Sequence, residues 1–204
     1  MKHILIMTGG ALEMDFARAY MKTLSFDKVF AVDKGLEYAD ALDIVPDYLI
    51  GDFDTVDNGL LSFYDKNIIL RHPPEKDQTD TELAIETALN AGCERLVFFG
   101  ATGSRLDHSL GNIFLLEHLL KQGVEAEVLN ENNKLYLKKQ DFTLKRKEAR
   151  GDYVSLLPLT ETVKNVTLCG FKYPVENVTF YREKTLGISN EITEEEAIVE
   201  FSDG

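Results

Sequence analysis

Residues 95–123, RLVFFGATGSRLDHSLGNIFLLEHLLKQG, decide how this chain folds. Arg95 to Phe99 is an apolar run of strand length, and Gly100 to Gly103 forms a glycine-bearing turn. Ser109 to Gln122 then reads as a helix with Leu110, Phe114, Leu115 and Leu119 on one side, stopped by Gly123. A strand that passes through a turn into a helix belongs to a parallel sheet with covering helices, and the alternation runs back to the first residues. His3 to Met7, Lys28 to Val32, Asp47 to Ile50 and Ile68 to Leu70 are the earlier strand candidates. Leu12 to Leu24, Leu36 to Leu42 and Thr81 to Ala91 are the helices between them, with Gly92 ending the last.

After Gly123 the pattern changes. Glu125 to Phe201 carries short alternating or β-branched runs: Ala126 to Leu129, Lys134 to Leu137, Tyr153 to Leu157, Asn165 to Cys169, Val178 to Tyr181 and Ala197 to Phe201. Turns fall near Asn132-Asn133, Gly151-Asp152 and Gly170. The expectation is an α/β chain with an N-terminal Rossmann-like parallel sheet and flanking helices over residues 1–124. A C-terminal all-β sandwich follows over residues 125–204.

The formal net charge of −13 opposes binding to nucleic acid or an anionic membrane. It also requires that a polyphosphate substrate arrive with its charge masked by a cation. Met1 to Met7 is too short an apolar run for a signal-peptide core or a membrane span, so a cytoplasmic protein is expected. Cys93 and Cys169 are too few for a zinc cluster or a disulfide framework and read as small core residues. His3, His72 and His118 show no metal-ligand spacing.

Ligands of open α/β sheets bind outside the carboxyl ends of the strands, and the polar residues fall there repeatedly. In Tyr48 to Thr55, YLIGDFDT, Asp52 and Asp54 end an apolar strand with no basic residue beside them. Such hard oxygen ligands suit Mg²⁺ carrying a substrate phosphate, whereas an Asx turn accounts for only one of the two carboxylates. Asp33 follows the second strand and competes with a turn or cap reading. Thr79 to Glu82, TDTE, matches a capping box whose helix N-terminus faces anions, and Asp80 there adds a third candidate metal carboxylate. Lys76 is either a phosphate point charge or a solvated lysine. The Gly100 to Gly103 turn lets backbone amides approach a phosphate; Arg105 can fork onto phosphate oxygens. Asp107 can cap the next helix or bind metal or ribose, and His108 is a polar group near the substrate or a satisfied helix-start histidine. Neither the Walker pattern nor the dinucleotide fingerprint occurs.

Taken in order, Asp33-Lys34-Gly35, Gly51-Asp52-Phe53-Asp54, Asp77-Gln78-Thr79-Asp80, Gly100 to His108 and Gly187-Ile188-Ser189-Asn190-Glu191 resemble the bacterial thiamine pyrophosphokinase (thiamine diphosphokinase) family. Ser104 stands where that family usually has a second Gly, and Thr55 where Ser is common. The resemblance implies transfer of the pyrophosphoryl group of ATP to thiamine, giving thiamine diphosphate and AMP, with Mg²⁺ required. It implies that Asp52, Asp54 and Asp80 hold the metal and that Arg105 and Asp107 join them in catalysis. Asp33, Lys76, Gln78, Thr79, Thr102, Arg105, Asp107 and His108 would surround ATP, while Ser189 and Asn190 would bind thiamine at a site completed by the second subunit of a homodimer. Two rival readings remain. Asp52-Phe53-Asp54-Thr55-Val56 also fits the start of a haloacid-dehalogenase-type phosphatase, and a non-catalytic nucleotide-binding sensor would hold ATP without turning it over.

Overall fold

A computed structural model describes residues 1–54, 56, 58–71 and 78–204. The chain divides into two compact units, Met1–Leu137 and Lys138–Gly204.

In the first unit the described strands are β1 (His3–Met7), β2 (Lys28–Val32), β3 (Tyr48–Gly51), β4 (Ile69–Arg71), β5 (Arg95–Phe99), β6 (Glu125–Leu129) and β7 (Lys134–Tyr136). They form one sheet in the order β4-β3-β2-β1-β5-β6-β7. The pairs from β4 through β6 are parallel, and β7 runs antiparallel to β6. The helices are α1 (Met14–Met21), α2 (Gly35–Ala41), the short α3 (Asn58–Leu61), α4 (Asp80–Asn90) and α5 (Leu106–Lys121). Strands buried on both faces read as continuous apolar runs, and β1 and β5 do. Ile4, Ile6, Leu96 and Phe98 pack with Ala84, Ile85 and Ala88 of α4 and Leu116 and Leu119 of α5. Leu5, Met7, Val97 and Phe99 point the other way, onto Ala17 of α1 and Ala39 of α2. Gly92 and Gly123, both at φ +76°, end α4 and α5 in the left-handed conformation that glycine adopts without steric cost.

Three expectations need correction. The division expected between residues 124 and 125 falls instead at Leu137, because β6 pairs along β5 from Arg95↔Glu125 to Phe99↔Leu129 and carries β7 with it. A β-rich composition does not say which sheet a strand joins. On α5, Leu110 and Phe114 are exposed rather than facing the core, and Leu116 and Leu119 are the residues fully covered. Cys93 is a core residue whose thiol burial pushes up to about 11, but Cys169 is exposed.

Glu127 on β6 is a buried acid and is well provided with donors. It receives Arg95 Nη2 at 3.1 Å, Lys134 Nζ at 2.9 Å and Tyr20 Oη at 3.1 Å. Burial alone would raise its pKa, but these partners outweigh burial and hold it below the ordinary glutamate value.

The second unit contains β8 (Phe142–Lys145), β9 (Thr162–Cys169), β10 (Val175–Tyr181) and β11 (Glu196–Glu200), an antiparallel sheet in the order β10-β9-β11-β8. Its core joins Val166, Leu168, Phe180, Ala197 and Val199 of the sheet to Val154, Leu156, Phe171 and Ile192 of the connecting segments. Those segments are fastened by isolated bridges, Val154↔Asn190 and Phe171↔Ile192. The run Tyr153 to Leu157, expected as a strand, instead bridges Asn190 of another connecting segment through Val154 and packs Val154 and Leu156 against the core. The alternation of small α/β units followed by antiparallel strands otherwise matches the expected fold class.

Candidate active site

The carboxyl ends of β2 and β3 and the start of α4 meet at one rim of the first sheet. Asp33 leaves β2 at φ 46°, in the left-handed region, with its N–H donating to Ile50 O at 3.1 Å. Its carboxylate lies over Gly51, where any Cβ would run into Asp33 Oδ1 and where φ is +142°. The residue before Asp52 thus has two reasons to be glycine. Phe53 sits at φ 59°, an unfavourable conformation for a bulky side chain, yet it is almost fully buried with Ala31, Leu36, Leu49, Val56 and Leu61. Burial of Phe53 offsets the strain and fixes the loop, so that the half-buried Asp52 faces the rim while Asp54 is exposed. The Asx turn is present as well, since Asp54 N–H donates to Asp52 Oδ1 at 3.1 Å.

Thr79 caps α4, its Oγ1 accepting from Glu82 N at 3.2 Å. Gln78 lies along the helix and donates from Nε2 to Glu86 Oε1 at 2.6 Å. Asp80, in the first helical turn, and Thr81 complete a cavity of about 250 Å³ lined by Asp33, Asp52, Gln78, Thr79, Asp80, Thr81 and His108. Six of the residues read from the sequence are therefore brought together. Asp54, Thr102, Arg105 and Asp107 are not in this lining. Lys76 lies outside the described residues.

Among the described residues no group of three or more His, Cys, Asp or Glu is close enough to hold a metal ion. The expected three-carboxylate set of Asp52, Asp54 and Asp80 is thus not assembled: Asp54 offers Asp52 its amide and keeps its carboxylate in solvent.

At the amino end of α5, Arg105 grips Asp107 through Nη2 to Oδ2 at 2.7 Å and Nε to Oδ1 at 3.3 Å, with both side chains about two-thirds exposed at 68% and 67%. The Arg105 hydrogen bond, aided by the His108 amide, pulls the Asp107 carboxyl down to about 2. Ser109 ties the turn to the helix, accepting from Gly103 N at 3.1 Å and donating to Arg105 O at 3.0 Å.

A further part of the rim, the Thr8-Gly9-Gly10 loop after β1, was missed by sequence reasoning. This loop is stitched to the one after β5. Thr8 N–H donates to Phe99 O at 2.8 Å, Gly10 N–H to Gly100 O at 2.8 Å and Ala11 N–H to Thr102 O at 2.7 Å, and the Thr8 hydroxyl bonds Gly100 O. Tyr38 Oη closes the far side on Gly10 O at 2.6 Å. The seam lies between β1 and β5, where the strand order reverses and where open α/β sheets form their ligand crevice. A glycine pair directly after an apolar strand was the available signal, the same one that marked Gly100 to Gly103.

In the second unit Asn190 is buried and its amide is committed to backbone. Oδ1 accepts from Tyr173 N at 3.0 Å and Glu191 N at 2.9 Å, and Nδ2 donates to Tyr173 O at 2.9 Å. These bonds satisfy backbone groups that would otherwise be buried unpaired, and they use one of the two Asn190 Nδ2 hydrogens. Ser189 beside it is exposed, at φ 57°, with its N–H on Ser155 Oγ at 3.1 Å.

A doubly wound sheet with carboxylates, a capped helix start and a glycine seam on one rim has the layout of an α/β ligand site. Comparison with known proteins narrows the class. Residues 22–128 match the model of the thiamin pyrophosphokinase catalytic domain, and residues 139–204 match that of the thiamin pyrophosphokinase vitamin B1 binding domain. The thiamine pyrophosphokinase of Bacillus subtilis is 33% identical over 175 residues, covering 85% of this chain and 82% of the relative. A crystal structure of the Bacillus subtilis enzyme superposes with a TM-score of 0.86 at 29% identity, covering 100% of this chain and 95% of that one. The enzyme from Geobacillus thermodenitrificans gives 0.82 at 32% identity, covering 99% and 94%. The chain belongs to the thiamin pyrophosphokinase family. Neither the phosphatase nor the sensor reading finds support in these relatives.

Proposed function

We propose that the protein is a thiamine diphosphokinase, transferring the pyrophosphoryl group of ATP to the hydroxyl of thiamine to give thiamine diphosphate and AMP. The observation that carries this is the cavity that gathers Asp33, Asp52, Asp80, Thr79 and His108 at the carboxyl rim of a chain with this family membership. In the reaction the alcohol oxygen of thiamine bonds to the β-phosphorus as the bond from that phosphorus to the α,β-bridging oxygen breaks. AMP leaves with that oxygen, and the alcohol proton passes to a base. Little covalent work falls to the protein, which positions the alcohol in line and neutralises charge.

The donor set fits Mg²⁺. This ion ordinarily takes one or two protein carboxylates and completes its shell with water and substrate phosphate, so Asp52 and Asp80 suit it without a third ligand. When bound it offsets the charge of the triphosphate. The amino end of α4, capped by Thr79, adds partial positive charge, with Gln78 and His108 beside it. Arg105, on exchanging Asp107 for phosphate oxygens, stabilises charge on the transferred group, and Lys76 joins it on sequence grounds alone. Asp33 and Thr102 complete the nucleotide rim.

The first unit is assigned to ATP and metal, the second to thiamine, through Ser189 on a segment shaped by Asn190, and to dimerisation. Supporting the homodimer are the large apolar side chains that the second unit leaves exposed, among them Tyr153, Leu157, Tyr173, Leu186 and Ile188. A monomer in sedimentation equilibrium, well above assay concentrations, would remove this part. A cytoplasmic location accords with ATP as substrate and with the free Cys93 and Cys169. Among the described residues no helix is long and apolar enough to cross a membrane. Recovery of the protein in a membrane or secreted fraction would argue against the assignment.

Phosphorus NMR of the protein with ATP, thiamine and Mg²⁺ tests the reaction. AMP and thiamine diphosphate are expected together, and only in the complete mixture. ADP or free phosphate in their place would reject pyrophosphoryl transfer.

A further inference from the structure

Asn130, at the end of β6, carries none of the roles assigned above, yet its amide is oriented by chemistry and reaches the nucleotide rim. Its Oδ1 accepts from Asn132 N at 2.9 Å, Asn133 N at 2.7 Å and Asn133 Nδ2 at 3.1 Å. Backbone N–H groups need an acceptor, so the oxygen of the amide must face the turn and the nitrogen must face the other way. That nitrogen meets Thr102, with Nδ2 donating to Oγ1 at 3.2 Å. A hydroxyl that accepts from an amide keeps its own proton for another partner. Among the described residues no acceptor takes the Thr102 proton, and the side chain is half-exposed in the loop after β5.

We propose that Asn130 is a positioning residue that occupies an acceptor site of Thr102 and leaves its hydroxyl proton to be donated toward the phosphates of ATP. The proposal rests on the reading of Thr102 as part of the nucleotide rim. Two links join β6 to the site: the Asn130 to Asn133 turn holds the amide, and the amide holds the hydroxyl. The turn itself is closed by Asn130 N–H on Asn133 O at 3.0 Å.

The test turns on Asn130→Asp. Aspartate accepts the turn amides as asparagine does, but presents an acceptor to Thr102, so the hydroxyl proton turns inward and is lost to the phosphate. Affinity for a non-transferable ATP analogue with Mg²⁺, measured by calorimetry, is expected to fall roughly 10- to 100-fold, because the bond lost is one to a charged acceptor. The KM for ATP should rise in step, with kcat changed less than about threefold. The added charge is separated out by the Thr102→Val background, where both effects of Asn130→Asp should shrink by about 10-fold. Asn130→Ser caps the turn without reaching Thr102 and should show a smaller effect with the same dependence on Thr102. Equal losses in the Thr102 and Val backgrounds would overturn the proposal, as would a change confined to kcat. Failure of the unaltered protein to bind the analogue would instead overturn the functional reading on which the proposal rests.

Discussion

Asp52→Asn is expected to slow thiamine diphosphate formation by about 10³-fold or more while moving the thermal midpoint by no more than about 2 °C. The asymmetry follows from what each part of the carboxylate does. Its structural duty is to accept the Asp54 amide at Oδ1, and asparagine retains an oxygen for that bond. Its other duty, negative charge on the wall of the cavity that also holds Asp33 and Asp80, is removed outright. A cation that accompanies a triphosphate then loses one of the two carboxylates suited to it. Initial rates at saturating ATP and thiamine, set beside melting curves from circular dichroism, separate the two duties. A variant that unfolds well below the parent protein would make Asp52 a structural residue and sink the catalytic assignment.

Gly10→Ala should destabilise the first unit by about 3 kcal/mol and remove ATP binding with it. A Cβ at residue 10 would lie within contact of the carbonyl oxygens of Gly100 and Thr102, which are the acceptors of the seam between the β1 and β5 loops. Both obstacles are backbone, so no flexible side chain can swing aside. Gly111→Ala in α5 is the matched control. Nothing lies within 4 Å of its added methyl group, and alanine there should be neutral or stabilising by up to about 1 kcal/mol. Denaturant unfolding of both variants measures the contrast. Equal stability would mean that the seam opens without cost.

These two sites differ in how visible they were in the sequence. Asp52, Asp80 and Thr79 were legible because strand ends and helix caps are local: the apolar run, the glycine and the TDTE pattern lie within a few residues of the groups they position. The order of strands then carried them to one rim. The Thr8 to Gly10 seam was not legible, since its partners lie some ninety residues along the chain and only the parallel pairing of β1 with β5 brings them together. Asn130 was hidden for the same reason, and Asn190 for another. A polar residue in a loop reads as available to a ligand, and nothing in its neighbours announces that its amide bonds Tyr173 and Glu191. The boundary at Leu137 was missed because alternation identifies a strand without identifying the edge it joins. The phase of α5 was misjudged because its apolar residues occupy more of its circumference than its neighbours cover, leaving Leu106, Leu110 and Phe114 outside.

The Arg105 and Asp107 pair has a consequence for the free protein. Its two parallel contacts, at 2.7 and 3.3 Å, have the fork geometry with which a guanidinium meets phosphate oxygens. Asp107 therefore occupies the place that phosphate would take in the role proposed for Arg105. An arginine on a solvent-exposed turn ordinarily samples many rotamers and loses that freedom when it binds. Here Asp107 biases Arg105 toward one such geometry, and an exposed carboxylate is easily displaced. Under the role proposed for Arg105, nucleotide binding exchanges one anion for another around the guanidinium, with part of the cost of ordering that side chain already met.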